Sequence, residues 1–240
     1  HAVSCGRMTR ILLIPGSTRE ESLHTAALRT AARYAPAGTD AIPYGGLRTL
    51  PAFVPAEPSP PASVAELRAE VAAADAVLFS TPEYAGSLPG SLKNLLDWLV
   101  DAGDLTGKPV AWLSVAPPGQ DDGARETLET VLGHAGARLL RAACIRLPLT
   151  QAAVGLDGLI GDPQLHQALQ DMVHALVRVM ELAEGRSAQP AWTVVSSVYP
   201  TIVPNPGRRP AYGPPAQGPD VRRPHHAPAR FPGDSGPWGS

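Results

Sequence analysis

Residues 76–98 read Ala76-Val77-Leu78-Phe79-Ser80-Thr81-Pro82-Glu83-Tyr84-Ala85-Gly86-Ser87-Leu88-Pro89-Gly90-Ser91-Leu92-Lys93-Asn94-Leu95-Leu96-Asp97-Trp98. Three kinds of chain follow one another there. Ala76 to Ser80 is a short apolar run that reads as a buried strand. The loop from Thr81 holds two prolines, two glycines, a tyrosine and several hydroxyls. Leu92, Leu95, Leu96 and Leu99 then recur at i, i+3, i+4 and i+7, the apolar stripe of a helix. A strand that opens into such a loop and then a helix is the usual ligand-binding joint of an α/β sheet.

The same alternation extends in both directions. Ile11-Leu12-Leu13-Ile14 is a continuous apolar run, as expected of a central parallel strand covered on both faces. Pro15 and Gly16 break it, Ser22 to Tyr34 has helical spacing, and Pro36 and Gly38 end that helix. Thr39 to Ile42 supplies a second strand, and Pro43 to Pro61 a loop with six prolines. Ser63 with Glu66 spells a capping box at the start of the next helix. Beyond the opening stretch, Pro109 to Val115 reads as a fourth strand, Ala124 to His134 as a helix and Arg138 to Leu147 as a fifth strand. Asp162 and Pro163 cap a last helix running to about Glu184. Five strands alternating with helices predict an α/β fold: a five-stranded parallel sheet between two helical layers, over residues 8–184.

Residues 1–7, ahead of Met8, read as an extension. From Gly185 the composition changes. That tail holds 12 of the 27 prolines, and six arginines against two aspartates give it a formal +4, leaving −6 for the rest of the net −2. So little apolar periodicity cannot offset the entropy of ordering, so a Pro/Arg-rich disordered tail is expected over 185–240. A net charge near zero argues against non-specific binding to nucleic acid or an anionic membrane. No run approaches the roughly 20 apolar residues that cross a bilayer, and no signal-peptide core stands at the N-terminus. Cys5 and Cys144 give neither a disulfide framework nor metal-ligand spacing, and Cys144, in an apolar run, is expected as a buried small hydrophobe. A reduced, cytoplasmic setting is the expectation.

Chemistry should gather in the loops that leave the carboxyl ends of the strands. The first is Gly16-Ser17-Thr18-Arg19-Glu20-Glu21-Ser22-Leu23-His24. Glycine for close backbone approach, hydroxyl donors, a guanidinium and a helix N-terminus are the parts of a phosphate cradle. Ser17 with Glu20 also spells a capping box, the competing structural reading. No G-x-G-x-x-G follows the first strand, which argues against a dinucleotide Rossmann site. Gly103 to Pro109 lacks the spacing and the hydroxyl of a P-loop and reads as a turn. HExxH, CxxC and G-x-S-x-G are absent, and the seven histidines are scattered, His225-His226 in the tail included. A cofactor must then supply the chemistry of any reaction here.

Together the two loops resemble one family. The first is similar to the G-S-x-R-x-x-S-x-N loop of the NADPH-dependent FMN reductases, and Thr81 to Trp98 resembles their T-P-E-Y-N-x-S-x-P-G-x-L-K-N-x-x-D-W. The resemblance covers 8–184. It implies a flavodoxin-like three-layer sandwich, FMN as cofactor, NADPH or NADH as co-substrate, and a small-molecule electron acceptor such as a quinone or free flavin. It implies Gly16, Ser17, Arg19, Ser22 and His24 around the FMN phosphate. Pro82, Glu83, Tyr84, Ala85, Gly86 and Ser87 would surround the isoalloxazine and ribityl groups. The loop after strand four, with Ala116, Pro117 and Gly119, would lie under the ring. It also implies a homodimer or homotetramer.

Two positions depart from the pattern: His24 stands where the family has Asn, and Ala85 where Asn follows the tyrosine. Histidine is expected to donate to phosphate through one ring nitrogen, and Ala85 to lose a polar contact near the flavin. Lys93, Asn94 and Asp97 are expected in solvated or supporting roles on the helix, and Trp98 in packing. Two rival readings remain: a flavodoxin-like electron carrier without NAD(P)H turnover, and a flavin-free binding or scaffold protein.

Overall fold

The computed structural model describes residues 8–188. Residues 1–7 with Cys5, and the tail beyond 188 with its prolines, arginines and paired histidines, lie outside the described residues.

The chain runs β1 (Thr9–Pro15), α1 (Leu23–Arg33), β2 (Thr39–Pro43), α2 (Ala62–Ala73), β3 (Ala76–Ser80), α3 (Gly90–Asp101), β4 (Pro109–Ser114), α4 (Asp122–His134), β5 (Arg138–Leu139), β6 (Ile145–Arg146) and α5 (Pro163–Ala188). Every strand pair is parallel, in the order β2-β1-β3-β4-β5, with β6 also on β4. That order is the flavodoxin-like one, which places a ligand site at the carboxyl ends of β1 and β3, where the order reverses.

The apolar runs are continuous because each central strand feeds two cores. Leu12 and Ile14 of β1 join a cluster with Leu67 and Val71 of α2, Leu92, Leu95, Leu96 and Leu99 of α3, and Leu128 and Leu132 of α4. Ile11 and Leu13, on the other face, join Ala27, Leu28 and Ala31 of α1 and Leu169, Val173 and Leu176 of α5. No helix among the described residues is long and apolar enough to cross a membrane.

Four details differ from the sequence reading. The single strand expected over Arg138 to Leu147 is two short ones. Arg138 and Leu139 pair with Pro109 and Val110, and Ile145 and Arg146 pair with Leu113 and Ser114. Between them β4 advances by fewer residues than the edge strand, and the surplus is taken up by a 3₁₀ turn at Arg141–Ala143. Its Ala143 is buried like a strand residue, so the hydrophobic pattern hides the interruption. Second, the Ser63–Glu66 capping box does not form. Pro61 is the N-cap of α2 and its carbonyl accepts from the amides of Val64 and Ala65, which puts Ser63 inside the first turn. Third, Cys144 is half-buried, its thiol donating to the Leu140 carbonyl, and burial raises its pKa. Fourth, the last helix continues past Glu184 to Ala188.

Asn94, in the middle of the longest motif, ties down the proline-rich loop after β2. Its Oδ1 accepts from the Phe53 amide at 2.8 Å and its Nδ2 donates to the Pro51 carbonyl at 2.9 Å. Trp98 Nε1 donates to the same carbonyl at 3.0 Å, and the Trp98 ring, 1 % exposed, meets Phe53 edge to face. Trp98 is thus a packing residue within the chain. Lys93 pairs with Asp97 one turn on at 2.6 Å. Asn94→Ala removes two hydrogen bonds and should lower stability by roughly 1–3 kcal/mol, read as a shift in urea midpoint at unchanged slope. An unchanged midpoint would show that the loop is held by Trp98 and Phe53 alone.

Candidate functional site

The phosphate-type loop leaves β1 at Gly16, whose amide donates to the Ser80 carbonyl at the end of β3 at 2.7 Å. The approach is so close that a Cβ on Gly16 would stand 2.3 Å from Thr81 Oγ1 and 2.8 Å from Leu92 Cδ2. Glycine is required here by space.

The capping-box reading of Ser17 and Glu20 does not hold. Helix α1 starts at Leu23, and Ser17 Oγ instead accepts from the Arg19 amide at 3.2 Å, a local turn. Ser22 occupies the N-cap but makes no side-chain bond to the first-turn amides, so these remain available to a ligand. Ser17 and Ser22 are buried, and Arg19 makes no ion pair with the described residues. Glu20 is turned away to Arg48, 3.1 Å distant, in an exposed pair. Free amides, two hydroxyls and an unneutralised guanidinium at a helix N-terminus fit an anion such as a phosphate.

Tyr84 and Ser87 exchange two backbone hydrogen bonds, at 2.9 and 3.1 Å, around Ala85 and Gly86. Both central residues have positive φ, 51° and 73°, which is the signature of a type I′ turn, where Asn-Gly is the preferred pair. Ala85 is exposed at the tip of that turn. An asparagine there would suit the backbone conformation, a turn preference that Ala85 lacks. Ala85→Asn should raise stability by roughly 0.5–1 kcal/mol, since Asn tolerates left-handed φ better than Ala. Thermal unfolding checks this; a lower midpoint would refute it.

The turn is docked on α4. Glu83 Oε2 accepts from the Ala124 amide at 3.0 Å, which caps that helix and commits the carboxylate to a structural task. Ser87 Oγ lies 3.3 Å from Thr127 Oγ1. A Cβ on Gly123 would come within 2.3 Å of the Gly86 carbonyl oxygen. The start of α4 is itself held by Arg146 of β6, which reaches Asp121 at 3.1 Å and Asp122 at 2.8 Å.

The two loops meet in one pocket of about 170 Å³. Ser17, Arg19, Ser22 and His24 line it from the first loop, Pro82 and Tyr84 from the second. Glu83, Ala85, Gly86 and Ser87 shape the turn that carries Tyr84 and do not themselves line the pocket. Nor do Ala116, Pro117 and Gly119. Pro117 and Gly119 are exposed on a crest closed by a bond from the Gln120 amide to the Pro117 carbonyl. The sequence reading missed Gln151. It lines the pocket from the segment after β6, and its Nε2 donates to the Glu21 carbonyl at 3.4 Å. No local pattern around Gln151 marks it; only the return of the chain beside α1 brings it there.

His24 is 7 % exposed, and burial lowers its pKa from 6.5 to about 4, so its ring is neutral. Its Nδ1 is 3.0 Å from Ser80 Oγ, which in turn donates to the Leu113 carbonyl at 2.7 Å. A hydroxyl has one hydrogen and a carbonyl can only accept, so Ser80 accepts from His24 and the ring proton sits on Nδ1. Nε2 carries a lone pair. With Nδ1–H committed to Ser80, the neutral ring has no second proton in the ligand-free protein.

In the unfolded chain His24 takes a proton near pH 6.5, whereas in the folded chain it does so only near 4. The unfolded state therefore binds more protons in that interval. Its contribution is fully present above pH 6.5 and is lost as pH falls toward 4, by roughly 3 kcal/mol in all. Urea unfolding of the flavin-free protein should show this slope, and His24→Asn should remove it. An identical slope in the variant would show that other groups carry the acid sensitivity.

With this geometry the comparisons with known proteins agree. The family model described as NADPH-dependent FMN reductase matches residues 9–148. This chain belongs to that family. It is a flavin-dependent NAD(P)H oxidoreductase, with FMN as cofactor and NAD(P)H as co-substrate. The NAD(P)H-dependent FMN reductase of Pseudomonas aeruginosa is 33% identical over 174 residues, spanning 70% of this chain and 92% of the relative. A quinone reductase of Escherichia coli is 36% identical over 106 residues, 42% of this chain and 56% of its own length. Among solved structures, the flavoenzyme NAD(P)H:(acceptor) oxidoreductase FerB of Paracoccus denitrificans superposes with a TM-score of 0.58 at 26% identity, over 72% of this chain and 98% of that one.

Proposed function

We propose that the reductase holds FMN with its phosphate at Ser17, Arg19, Ser22 and the first-turn amides of α1, and its ring against Pro82 and Tyr84. A quinone, free flavin or similar small molecule is the acceptor, and the active species is a homodimer or homotetramer. The observation that carries this reading is the convergence of the two loops, about 65 residues apart in the chain, on one pocket at the sheet's reversal point.

FMN, when bound, supplies the hydride-accepting and hydride-donating chemistry. The chain's residues position it. Arg19 offers a charge-assisted fork, Gly16 brings the loop backbone against β3, and the Glu83 cap holds the Tyr84 turn on α4. The Glu83 carboxylate accepts from the Ala124 amide, and the reaction needs no acid or base from it.

The visible spectrum of the purified protein, before and after anaerobic NADPH, tests the cofactor and its reduction together. A flavin spectrum that bleaches with NADPH and recovers with a quinone is expected. A flavin that NADPH does not bleach would indicate an electron carrier, and a protein that stays colourless after added FMN would indicate a flavin-free scaffold.

A further inference from the structure

His24 lines the pocket together with Ser17, Arg19 and Ser22, and the lone pair of its neutral ring is on Nε2. The assignment follows from the buried chain His24 Nδ1–H to Ser80 Oγ–H to the Leu113 carbonyl, which fixes every proton in it. A phosphate monoester dianion is acceptor-only toward the protein, so two lone pairs would oppose each other. An asparagine would not have this conflict, because its amide always carries donors.

We propose that His24 makes phosphate capture at this pocket proton-linked: on binding FMN the protein takes up one proton, shared between His24 Nε2 and the phosphate. This rests on the pocket reading given above. The proton comes from solvent. It resides on Nε2 as an imidazolium beside a dianion, or on the phosphate as a monoanion that donates to Nε2; both have the same composition and charge. Neither partner brings it near pH 7.5, since the free ring titrates at about 4 and a phosphate monoester near 6.

The charged or titratable groups that share the pocket are Arg19 and Glu21 from the first loop and Tyr84 from the second; Gln151 is neutral. From β3 the Ser80 hydroxyl bonds the ring, and from β4 the Leu113 carbonyl accepts from that hydroxyl. Among these groups His24 is the one whose single proton is committed to a buried hydrogen-bond chain, so it is the group placed to respond when a dianion arrives.

The test is FMN binding to flavin-free protein, by fluorescence titration between pH 6 and 8.5, with riboflavin as the ligand that lacks phosphate. Affinity for FMN should fall as pH rises, approaching tenfold per unit within that range, while riboflavin affinity stays flat. Calorimetry in two phosphate-free buffers of different ionisation enthalpy should count uptake approaching one proton. His24→Asn should abolish both the slope and the uptake and bind FMN at least as tightly as the parent at pH 8.5. Ser80→Ala, which keeps the histidine but frees its proton to move to Nε2, should reduce the uptake, a readout that does not depend on the first variant folding. FMN binding without uptake, or uptake that survives in His24→Asn, overturns the linkage alone. Failure of FMN to bind at any pH overturns the pocket reading with it.

Discussion

Gly16→Ala should lower the thermal midpoint by several degrees and weaken FMN binding in the same variant. The methyl group would lie 2.5 Å from Thr81 Cβ and 2.8 Å from Leu92 Cδ2, so both ends of the β1–β3 junction must separate to admit it. Thr81 Cβ is attached directly to backbone and cannot swing aside as a long side chain would. Overpacking of this kind costs roughly 1–3 kcal/mol, which for a chain of this size corresponds to about 3–10 °C. The same displacement stretches the 2.7 Å bond from the Gly16 amide to the Ser80 carbonyl, on which the first loop is hung. Calorimetry or circular dichroism reads the first effect and flavin titration the second. A variant with parental midpoint and affinity would mean that Leu92 and Thr81 repack without cost, and that the junction does not set the loop.

Arg19→Ala should weaken FMN by tenfold or more while leaving the fold intact. The Arg19 guanidinium has no hydrogen-bond or ion-pair partner among the described residues, so its removal orphans nothing in the free protein. What disappears is a charge-assisted hydrogen bond to phosphate, worth roughly 1.5–3 kcal/mol, or about ten- to hundredfold in affinity. Riboflavin, which has no phosphate, separates this from a general loss of the pocket: its affinity should be unaffected. Equal FMN affinity in parent and variant would sink the phosphate assignment; equal losses for both ligands would move Arg19 to the ring.

The alternation of strands and helices and both pocket loops were legible in the sequence, because each is a local signal. Ile11 to Ile14 and Ala76 to Ser80 are continuous apolar runs since both faces of the central sheet are covered, and Gly and Pro punctuate their ends. The 3₁₀ turn in the last strand was not legible, because its Ala143 is as buried as a strand residue would be. The backbone at Ala85 was not legible for a different reason: its φ of 51° is set by the turn and is not written in the residue itself.

Alone, then, the sequence determined the layered α/β architecture, the family and the two loops that make the pocket, since periodicity and motif chemistry are written in consecutive residues. The tertiary structure decided what those residues do to one another. It put Gln151 beside Glu21, set the Glu83 carboxylate on the first turn of α4, and set Asn94 to fasten a loop some forty residues away. It also decided the proton on His24 of α1, through a serine on one strand and a carbonyl on the next. Hydrogen-bond direction and burial are relations between distant parts of the chain, and no window of sequence contains both ends.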